Sequence, residues 1–271
     1  MNYMRTFTFA ISKGGVGKSL LTANIGLAIA QRRKKVVLVE GDPNKPLLAI
    51  FGLKPNPNNP KLDDVVKKDL RIEDAILPTA YEHLFVIPSG ISLEGYFDID
   101  PVLFARKLLT TDADFMFIDV PFPLGKAAFL SLGICEYFAM ILTEDEFSLC
   151  VESAIDTNRL GKFFLNCVPV GFVINRIKTP KRFTEEFVHD LEKLLRVPCM
   201  AKILEDERVS KSYGGVGSRK AFLAYAELPE NNFKESIDKI ASAIVEAKLP
   251  PSVKKDVPKF LDEITKPLRH Q

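Results

Sequence analysis

The chain has 271 residues, of which 46% are hydrophobic and 27% are charged, so it contains enough apolar material for a sizeable globular core. Its 37 basic and 35 acidic residues leave a net charge of +2, which argues against the strongly basic class of dedicated nucleic-acid-binding proteins. No run of 18 apolar residues occurs, and the four cysteines form no CxxC pair. The composition therefore predicts a soluble, cytoplasmic protein with buried, reduced cysteines and without a membrane span.

The N-terminal part of the chain predicts a strand, a glycine-rich loop and a helix in direct succession. Residues 6–11 are rich in β-forming side chains and alternate, which indicates a strand and not a signal peptide. Glycines between positions 14 and 17 end this strand, and residues 19–31 carry apolar side chains at helical spacing. Residues 35–39 are apolar almost throughout, which is typical of a strand covered by helices on both faces.

The rest of the chain continues this alternation. A proline-rich stretch at residues 54–60 indicates an exposed loop. Further strands are predicted at residues 84–87, 114–120, 137–142, 168–174 and 198–203, and further helices at residues 101–110, 147–164, 183–195 and 231–247. The alternation predicts an α/β fold, a doubly wound and mostly parallel sheet with helices on both faces. We expect one domain over residues 1–249 and a C-terminal tail at residues 250–271.

The segment KGGVGKS at residues 13–19 has the composition of a phosphate-binding P-loop, although Ser12 stands where the strict pattern begins with a glycine. Its glycines would let backbone N–H groups turn towards phosphate oxygens, and the following helix would add its dipole. Lys18 would reach the β- and γ-phosphates, and the Ser19 hydroxyl would bind Mg²⁺. A simple glycine turn before a helix is the alternative. The predicted ATP or ADP contacts of this segment are Gly14, Gly15, Val16, Gly17, Lys18, Ser19 and Leu20.

A second glycine-rich segment, GGVGSRK at residues 214–220, is interpreted differently. It has no strand directly before it and no lysine directly after its last glycine. We therefore predict a flexible loop without phosphate contacts.

Four further motifs accompany the P-loop: VEGDP at residues 39–43, FIDVP at 117–121, VINRI at 173–177 and LEDERV at 204–209. Together with the doubled lysine of KGGVGKS, they resemble the MinD/ParA group of P-loop ATPases. The likeness extends over about residues 5–247. It implies a P-loop NTPase fold that binds ATP or ADP with Mg²⁺.

The resemblance also implies catalytic roles. Lys13 would reach across an ATP-bridged homodimer to the phosphates of the partner, as an arginine finger does; the alternative is an ordinary solvated loop lysine. Asp42 would orient or activate the attacking water. Asp119 would hold Mg²⁺ through water, together with Ser19. The predicted catalytic residues are thus Lys13, Lys18 and Asp42, and the predicted metal-binding residues are Ser19 and Asp119.

The same resemblance implies an adenine site. Asn175 matches an adenine-contacting asparagine, although an asparagine at a strand end is otherwise usually a turn residue, and Arg176 follows it. Glu205 lies in the stretch that resembles the second adenine wall, where Leu204 replaces the usual proline. Glu146 resembles a residue near the nucleotide of the partner.

The chain departs from the family pattern in the region expected to sense the γ-phosphate. Pro123 stands where related proteins often have a glycine, and proline has no N–H to donate; Gly125 is the nearest substitute. Glu40 replaces the first aspartate of the usual pair, and Pro46 and Leu47 stand where an asparagine is expected. These changes leave the phosphate cradle intact, so we expect nucleotide binding with slow hydrolysis at most.

Two functions from different classes follow. The first is an ATPase switch that dimerises with ATP and positions DNA, a membrane surface or a protein, which Lys13 and Asp42 favour. The second is a regulatory nucleotide-binding module with little or no hydrolysis, which Pro123 favours. A ligase of the dethiobiotin-synthetase type ranks last, because no small-acid substrate signature is present.

Sequence features that bear on partners are weak. Residues 257–268 are the candidate for an amphipathic membrane helix, but acidic residues and Pro267 weaken it, so we predict that this segment packs on the domain or frays. Basic residues of the C-terminal half are interpreted as solvated surface, and no stable nucleic-acid complex is expected. These basic residues are Lys178, Lys181, Arg182, Arg208, Lys211, Arg219 and Lys220.

Overall fold

The computed structural model describes residues 4–11, 13–42, 44, 46–54, 56, 58–90, 99–119, 126–213, 223–246 and 256–266. Its strands are β1 (Arg5–Phe9), β2 (Val36–Glu40), β3 (Leu77–Pro78), β4 (Leu84–Ile87), β5 (Phe115–Asp119), β6 (Tyr137–Thr143), β7 (Val168–Ile177) and β8 (Cys199–Leu204). They form one sheet in the order β3-β4-β2-β5-β1-β6-β7-β8, in which β3 pairs antiparallel with β4 and the other neighbours are parallel.

The helices are α1 (Lys18–Ala30), α2 (Pro46–Ile50), α3 (Leu62–Lys67), α4 (Pro101–Leu109), α5 (Lys126–Ile134), α6 (Phe147–Arg159), α7 (Glu185–Leu195), α8 (Glu207–Tyr213), α9 (Ala224–Glu227), α10 (Asn232–Val245) and α11 (Val257–Thr265). Short 3₁₀ turns at Ile72–Ala75 and Pro180–Arg182 and a π turn at Leu160–Phe164 complete the description.

The order of the strands places helices on both faces of the sheet. The connection from β1 through α1 to β2 runs towards the β3 edge, whereas the connections through α4, α5, α6 and α7 run towards the β8 edge. Because parallel crossovers are right-handed, opposite directions put the helices on opposite faces. Every residue of β2, β5 and β6 is buried, as this double covering requires. The predicted doubly wound α/β class is confirmed.

Most predicted elements are present with small shifts at their ends. β4 has the predicted bounds, whereas the predicted helix at residues 147–164 ends as an α-helix at Arg159 and continues as the π turn. The antiparallel β3 and the helices α2, α3, α5, α8 and α9 were not predicted. Apart from α5, each of these has at most seven residues, and α5 (KAAFLSLGI) is apolar on all sides, so periodicity gives no signal for them.

One shift matters for the site. β7 runs to Ile177, three residues beyond its predicted end, and Asn175 pairs within the sheet with Thr143 of β6. Asn175 is therefore part of a strand and is not the turn residue that the sequence left as an alternative.

The segment Val257–Thr265 forms α11, which packs against α4 and α5 with Val257 and Leu261 buried. Of the two alternatives for the tail, the structure shows packing for Val257–Thr265, and the boundary at residue 249 stays a prediction. The predictions for Pro123, Gly125 and residues 214–220 lie outside the described residues. Within the part of the chain that the structure describes, none of the helices combines the length and the apolar character needed to cross a bilayer.

Candidate nucleotide-binding site

A cleft of about 510 Å³ opens at the carboxyl ends of the parallel strands, next to the glycine loop that follows β1. This is where ligands of doubly wound sheets bind. It brings together the P-loop, the loop after β2, the end of β7 and the segment after β8. Its walls are formed by Gly14, Gly15, Gly17, Lys18, Ser19, Leu20, Asp42, Asn44, Pro46, Ala49, Asn175, Arg176, Ile203, Leu204, Asp206, Val209, Ser210 and Phe233.

The glycine loop needs its glycines for two separate reasons. Gly15 and Gly17 have φ angles of +71° and +99°, a region that side chains with a Cβ disfavour. Gly17 is also the N-cap of α1, and a Cβ there would lie 2.6 Å from Nδ2 of Asn175. Asn175 donates from that atom to the carbonyl oxygen of Val16 at 2.8 Å. The asparagine of β7 therefore holds the loop in shape from the side of the sheet.

Gly17→Ala is expected to lower the free energy of unfolding by about 1–2 kcal/mol more than Gly52→Ala does. Both positions have positive φ, but an added Cβ meets nothing within 4 Å at Gly52, whereas at Gly17 it displaces Asn175. Urea unfolding of both variants without nucleotide measures the difference. Equal losses in the two variants would contradict the proposed contact between Gly17 and Asn175.

Lys18 lies at the base of the cleft, with only 8% of its surface exposed. Its Nζ donates to the carbonyl oxygen of Lys13 at 2.9 Å. Burial lowers the pKa of Lys18, while the charges of Asp119 and Asp42 oppose that shift. A buried ammonium among two acids at a helix N-terminus is well placed to attract polyphosphate.

Asp119 ends β5 beneath the loop and is fully buried. Neither of its carboxylate oxygens makes a hydrogen bond of ordinary geometry within the described residues. Burial raises its pKa, while the Ser19 hydroxyl and the Lys18 charge lie near enough to lower it. Burial makes a carboxylate with so few close donors costly unless a further ligand contacts it. Ser19 and Asp119 supply the hard oxygen atoms that Mg²⁺ prefers, so these residues fit the predicted ion.

Glu40 stands opposite Asp119 in the register of β2 and β5. Its Oε2 accepts hydrogen bonds from the backbone N–H groups of Leu47 and Leu48 at 2.8 and 3.2 Å, which anchors α2. Burial raises the pKa of Glu40 well above its ordinary range, and the charge of Asp119 adds to the rise. Because Asp119 faces the ammonium of Lys18, Glu40 is the member of the pair that keeps a proton.

The wild type is expected to lose stability between pH 6 and pH 8, and Glu40→Gln is expected to reduce that loss. Because folding raises the pKa of this carboxyl, it stays protonated in the folded state at pH values where it is ionised in the unfolded state. The free energy of unfolding therefore falls as pH rises, by up to about 1.4 kcal/mol per pH unit for one proton. The amide keeps the acceptor for Leu47 and Leu48 but cannot ionise. Urea unfolding at both pH values, with the exposed Glu82→Gln as control, measures this. Parallel losses in wild type and Glu40→Gln would contradict it.

Asp42 follows β2 and lines the cleft, as predicted from the sequence. Its Oδ1 accepts a hydrogen bond from the backbone N–H of Asn44 at 2.8 Å, which orients the carboxylate. The role implied for Asp42 is to orient or activate a water that attacks the bound phosphate. Whether Asp42 acts on such a water stays a prediction.

The far end of the cleft contains two of the three residues expected around adenine, and their role stays a prediction. Asn175 and Arg176 line it, with Arg176 at a φ of +55° and its Nη2 donating to Asp145 at 3.1 Å. Glu205 does not line the cleft, since its side chain is exposed on the surface. Asp206 lines it instead, with its carboxylate held by the guanidinium of Arg208.

Two residues of the predicted loop take up other positions. The side chain of Val16 is buried in the core, so its contact with a nucleotide can only come from its backbone. Lys13 is not among the residues that line the cleft. Its Nζ lies 2.9 Å from Oε2 of Glu146. Burial lowers the pKa of Lys13, but Glu146 and Cys150 raise it by more, so the pKa is raised. The predicted contact of Lys13 with a partner stays a prediction.

Sequence reasoning missed several residues that line the cleft. They are Asn44, Pro46, Ala49, Ile203, Val209, Ser210 and Phe233. Asn44 and Pro46 could have been inferred from their closeness to Asp42 in sequence. Phe233 belongs to α10, about 215 positions after the P-loop helix begins, and no motif marks it.

Comparison with known proteins is decisive for the family. The model of the CobQ/CobB/MinD/ParA nucleotide-binding domain matches residues 7–215, which include the glycine loop, Asp42, Asp119 and Asn175. The chain belongs to this family. An uncharacterized ATP-binding protein of Methanocaldococcus jannaschii is 33% identical over 263 residues, which cover 96% of this chain and 95% of the relative.

Solved structures of MinD proteins share the fold. The cell division ATPase MinD of Pyrococcus furiosus is 26% identical with a TM-score of 0.72, covering 91% of this chain and 99% of that one. The septum site-determining protein MinD of Pyrococcus horikoshii, complexed with Mg-ADP, is 24% identical with a TM-score of 0.73, covering 90% and 96%. The eight-stranded sheet of this CobQ/CobB/MinD/ParA family member is thus a P-loop NTPase fold.

Proposed function

We propose that this chain is an ATP-dependent molecular switch, which binds ATP with Mg²⁺, forms a homodimer around the nucleotide, hydrolyses it slowly and thereby positions a partner. The cleft carries this proposal, because Lys18, Ser19 and Asp42 line it and the buried carboxylate of Asp119, close to Ser19 and Lys18, lies beneath. The relatives support it: one is named as ATP-binding, and a structural relative is named as a cell division ATPase.

The residues divide the work as follows. The backbone N–H groups around Gly15 and Gly17 and the ammonium of Lys18 bind the phosphates, and the N-terminus of α1 adds its dipole. Ser19 and Asp119 would hold Mg²⁺, which would neutralise charge on the phosphates when bound. Asp42, fixed by Asn44, orients a water and accepts its proton as the water attacks.

The alternative is a regulatory module that binds ATP or ADP with little turnover. One observation favours it: Pro123 has no N–H with which to sense the γ-phosphate. In this case, occupancy of the cleft by ATP or ADP would set the conformation without a hydrolytic cycle.

Phosphate release separates these two functions. The switch predicts slow, Mg²⁺-dependent release of phosphate from ATP by the wild type, and a loss of at least about tenfold in Asp42→Ala, because a positioned general base contributes about 10²- to 10⁴-fold. Glu82→Ala, a change of an exposed acid, is the control and should equal the wild type. Tight ATP binding by a wild type that releases no more phosphate than Asp42→Ala would leave only the regulatory module.

Sedimentation velocity tests the dimer. We expect the wild type to sediment as a dimer with ATP and Mg²⁺ and as a monomer with ADP or without nucleotide. Lys13→Ala should remain a monomer in all three conditions, because it lacks the ammonium that would contact the partner's phosphates. An unchanged monomer of the wild type in all three conditions would remove the dimer from the proposal. The ATP-bound form is then tested for binding to DNA, to anionic vesicles and to proteins.

A further inference from the structure

The side chain of Lys13 is held at the rim of the cleft by a single turn that follows β6. Its Nζ lies 2.9 Å from Oε2 of Glu146, 2.9 Å from the carbonyl oxygen of Asp145 and 3.5 Å from Sγ of Cys150. The Lys13 side chain is 19% exposed, whereas that of Glu146 is 65% exposed. Lys13 is therefore the less exposed member of an ion pair whose other member lies on the surface.

The turn that holds Lys13 is itself anchored to the strand that forms the adenine end of the cleft. The carboxylate of Asp145 accepts hydrogen bonds from Arg176 at 3.1 Å and from Lys178 at 2.9 Å. The carboxylate of Glu144 accepts from the backbone N–H of Lys178 at 2.6 Å. Residues 144–146 thus bind the end of β7 on one side and the P-loop lysine on the other.

The backbone conformation of Glu146 directs its carboxylate to Lys13. Its φ of +52° is in the left-handed region, which costs a residue with a Cβ free energy and persists only where surrounding contacts maintain it. Glu146 is also the N-cap of α6, but its side chain makes no capping hydrogen bond there. The Glu146 side chain thus contacts Lys13 and does not cap α6.

The position of Lys13 also affects the second lysine of the loop. The Nζ of Lys18 donates to the carbonyl oxygen of Lys13 at 2.9 Å. Movement of the Lys13 backbone therefore changes the surroundings of the ammonium that faces the phosphates. The two lysines of KGGVGKS are coupled through one carbonyl group.

We propose that Glu146 and the Asp145 carbonyl form an intramolecular latch, which holds Lys13 away from the nucleotide until the phosphates of a second, ATP-loaded copy of the chain compete for it. The proposal rests on the proposed dimer for the identity of the competitor. The latch is suited to release, because an ion pair with one exposed member is weak and a polyphosphate offers Lys13 more negative charge than one carboxylate. The latch therefore makes dimer formation depend on ATP bound in the clefts.

Amine labelling of the nucleotide-free protein tests the latch without any need for a dimer. An acylating reagent modifies only neutral lysine amines, so an ion-paired Lys13 should react slowly. In Glu146→Gln we expect Lys13 to be acylated about threefold faster than in the wild type, measured by mass spectrometry of the peptide that contains it. Glutamine keeps the size of the side chain. Glu152→Gln, an exposed acid of the same helix, is the control and should label Lys13 at the wild-type rate. Equal labelling of Lys13 in wild type and Glu146→Gln would overturn the proposal.

Sedimentation with increasing ATP tests the consequence of release. We expect Glu146→Gln to reach half dimer at an ATP concentration about threefold lower than the wild type, because no ion pair has to be broken first. A concentration equal to or higher than that of the wild type would overturn the regulatory role of the latch. If the wild type forms no dimer at any ATP concentration, the proposed switch fails, whereas the labelling result still decides whether Glu146 holds Lys13.

Discussion

Lys18→Ala is expected to weaken ATP binding by about 10- to 100-fold, because one or two charge-assisted hydrogen bonds to phosphate are lost. Lys18 is buried at the base of the cleft, and it is the lysine among the described residues that line it. The free energy of unfolding without nucleotide should change little. The variant loses the hydrogen bond to the Lys13 carbonyl, but it also loses the cost of burying an ammonium whose pKa burial lowers.

Isothermal titration calorimetry with ATP and Mg²⁺ measures this effect, and urea unfolding checks the fold. Lys54→Ala is the matched control, since Lys54 is an exposed lysine outside the cleft, and it should bind ATP like the wild type. Wild-type affinity in Lys18→Ala would contradict the assignment of the cleft as a phosphate site.

Asp119→Asn is expected to abolish the contribution of Mg²⁺ to nucleotide binding, which we expect to be about tenfold in the wild type. Both oxygens of Asp119 are buried and lack a hydrogen bond of ordinary geometry among the described residues, so a bound cation would stabilise its negative charge beyond what the nearby Lys18 ammonium provides. ATP affinity in the variant should be the same with Mg²⁺ and with EDTA. Stability without nucleotide should not fall, because the substitution removes a buried charge.

Titrations of ATP into wild type and variant, each with Mg²⁺ and with EDTA, provide the measurement. Asp112→Asn is the control. Asp112 precedes the opposite end of β5, and its side chain is 91% exposed. Removing this carboxylate should leave the effect of Mg²⁺ on ATP binding unchanged. If Mg²⁺ strengthens binding to Asp119→Asn as much as to the wild type, Asp119 does not hold the ion.

The pairing of Glu40 with Asp119 illustrates what strand order adds to a motif. In the sequence, Glu40 and Asp119 are two separate acids 79 positions apart, and Glu40 is interpreted as a conservative replacement of an aspartate. In the sheet, β2 lies beside β5, and the two carboxyls become partners in the register. Burial, and after it the nearness of Asp119, raises the pKa of Glu40. Glu40 therefore keeps the proton, and the acid that replaces the usual aspartate anchors α2.

The structure also adds a role for Asn175 that its motif does not predict. Its motif predicts a contact with adenine, and the residue does line the cleft. Its amide also donates to the carbonyl oxygen of Val16, so it supports the loop as well as lining the cleft. This contact joins residues 159 positions apart, and no local pattern encodes it.

The sequence by itself determined the fold class, the P-loop and the acids Asp42 and Asp119 near it. These depend on local physics: glycines needed for positive φ, apolar periodicities of strand and helix, and the convergence of parallel strand ends on one edge. Only the tertiary structure decided that Asp206 and not Glu205 lines the cleft, that Glu40 pairs with Asp119, and that Glu146 holds Lys13. Such choices depend on which long-range neighbours a side chain meets and on backbone angles at single residues, and packing of the whole sheet sets both.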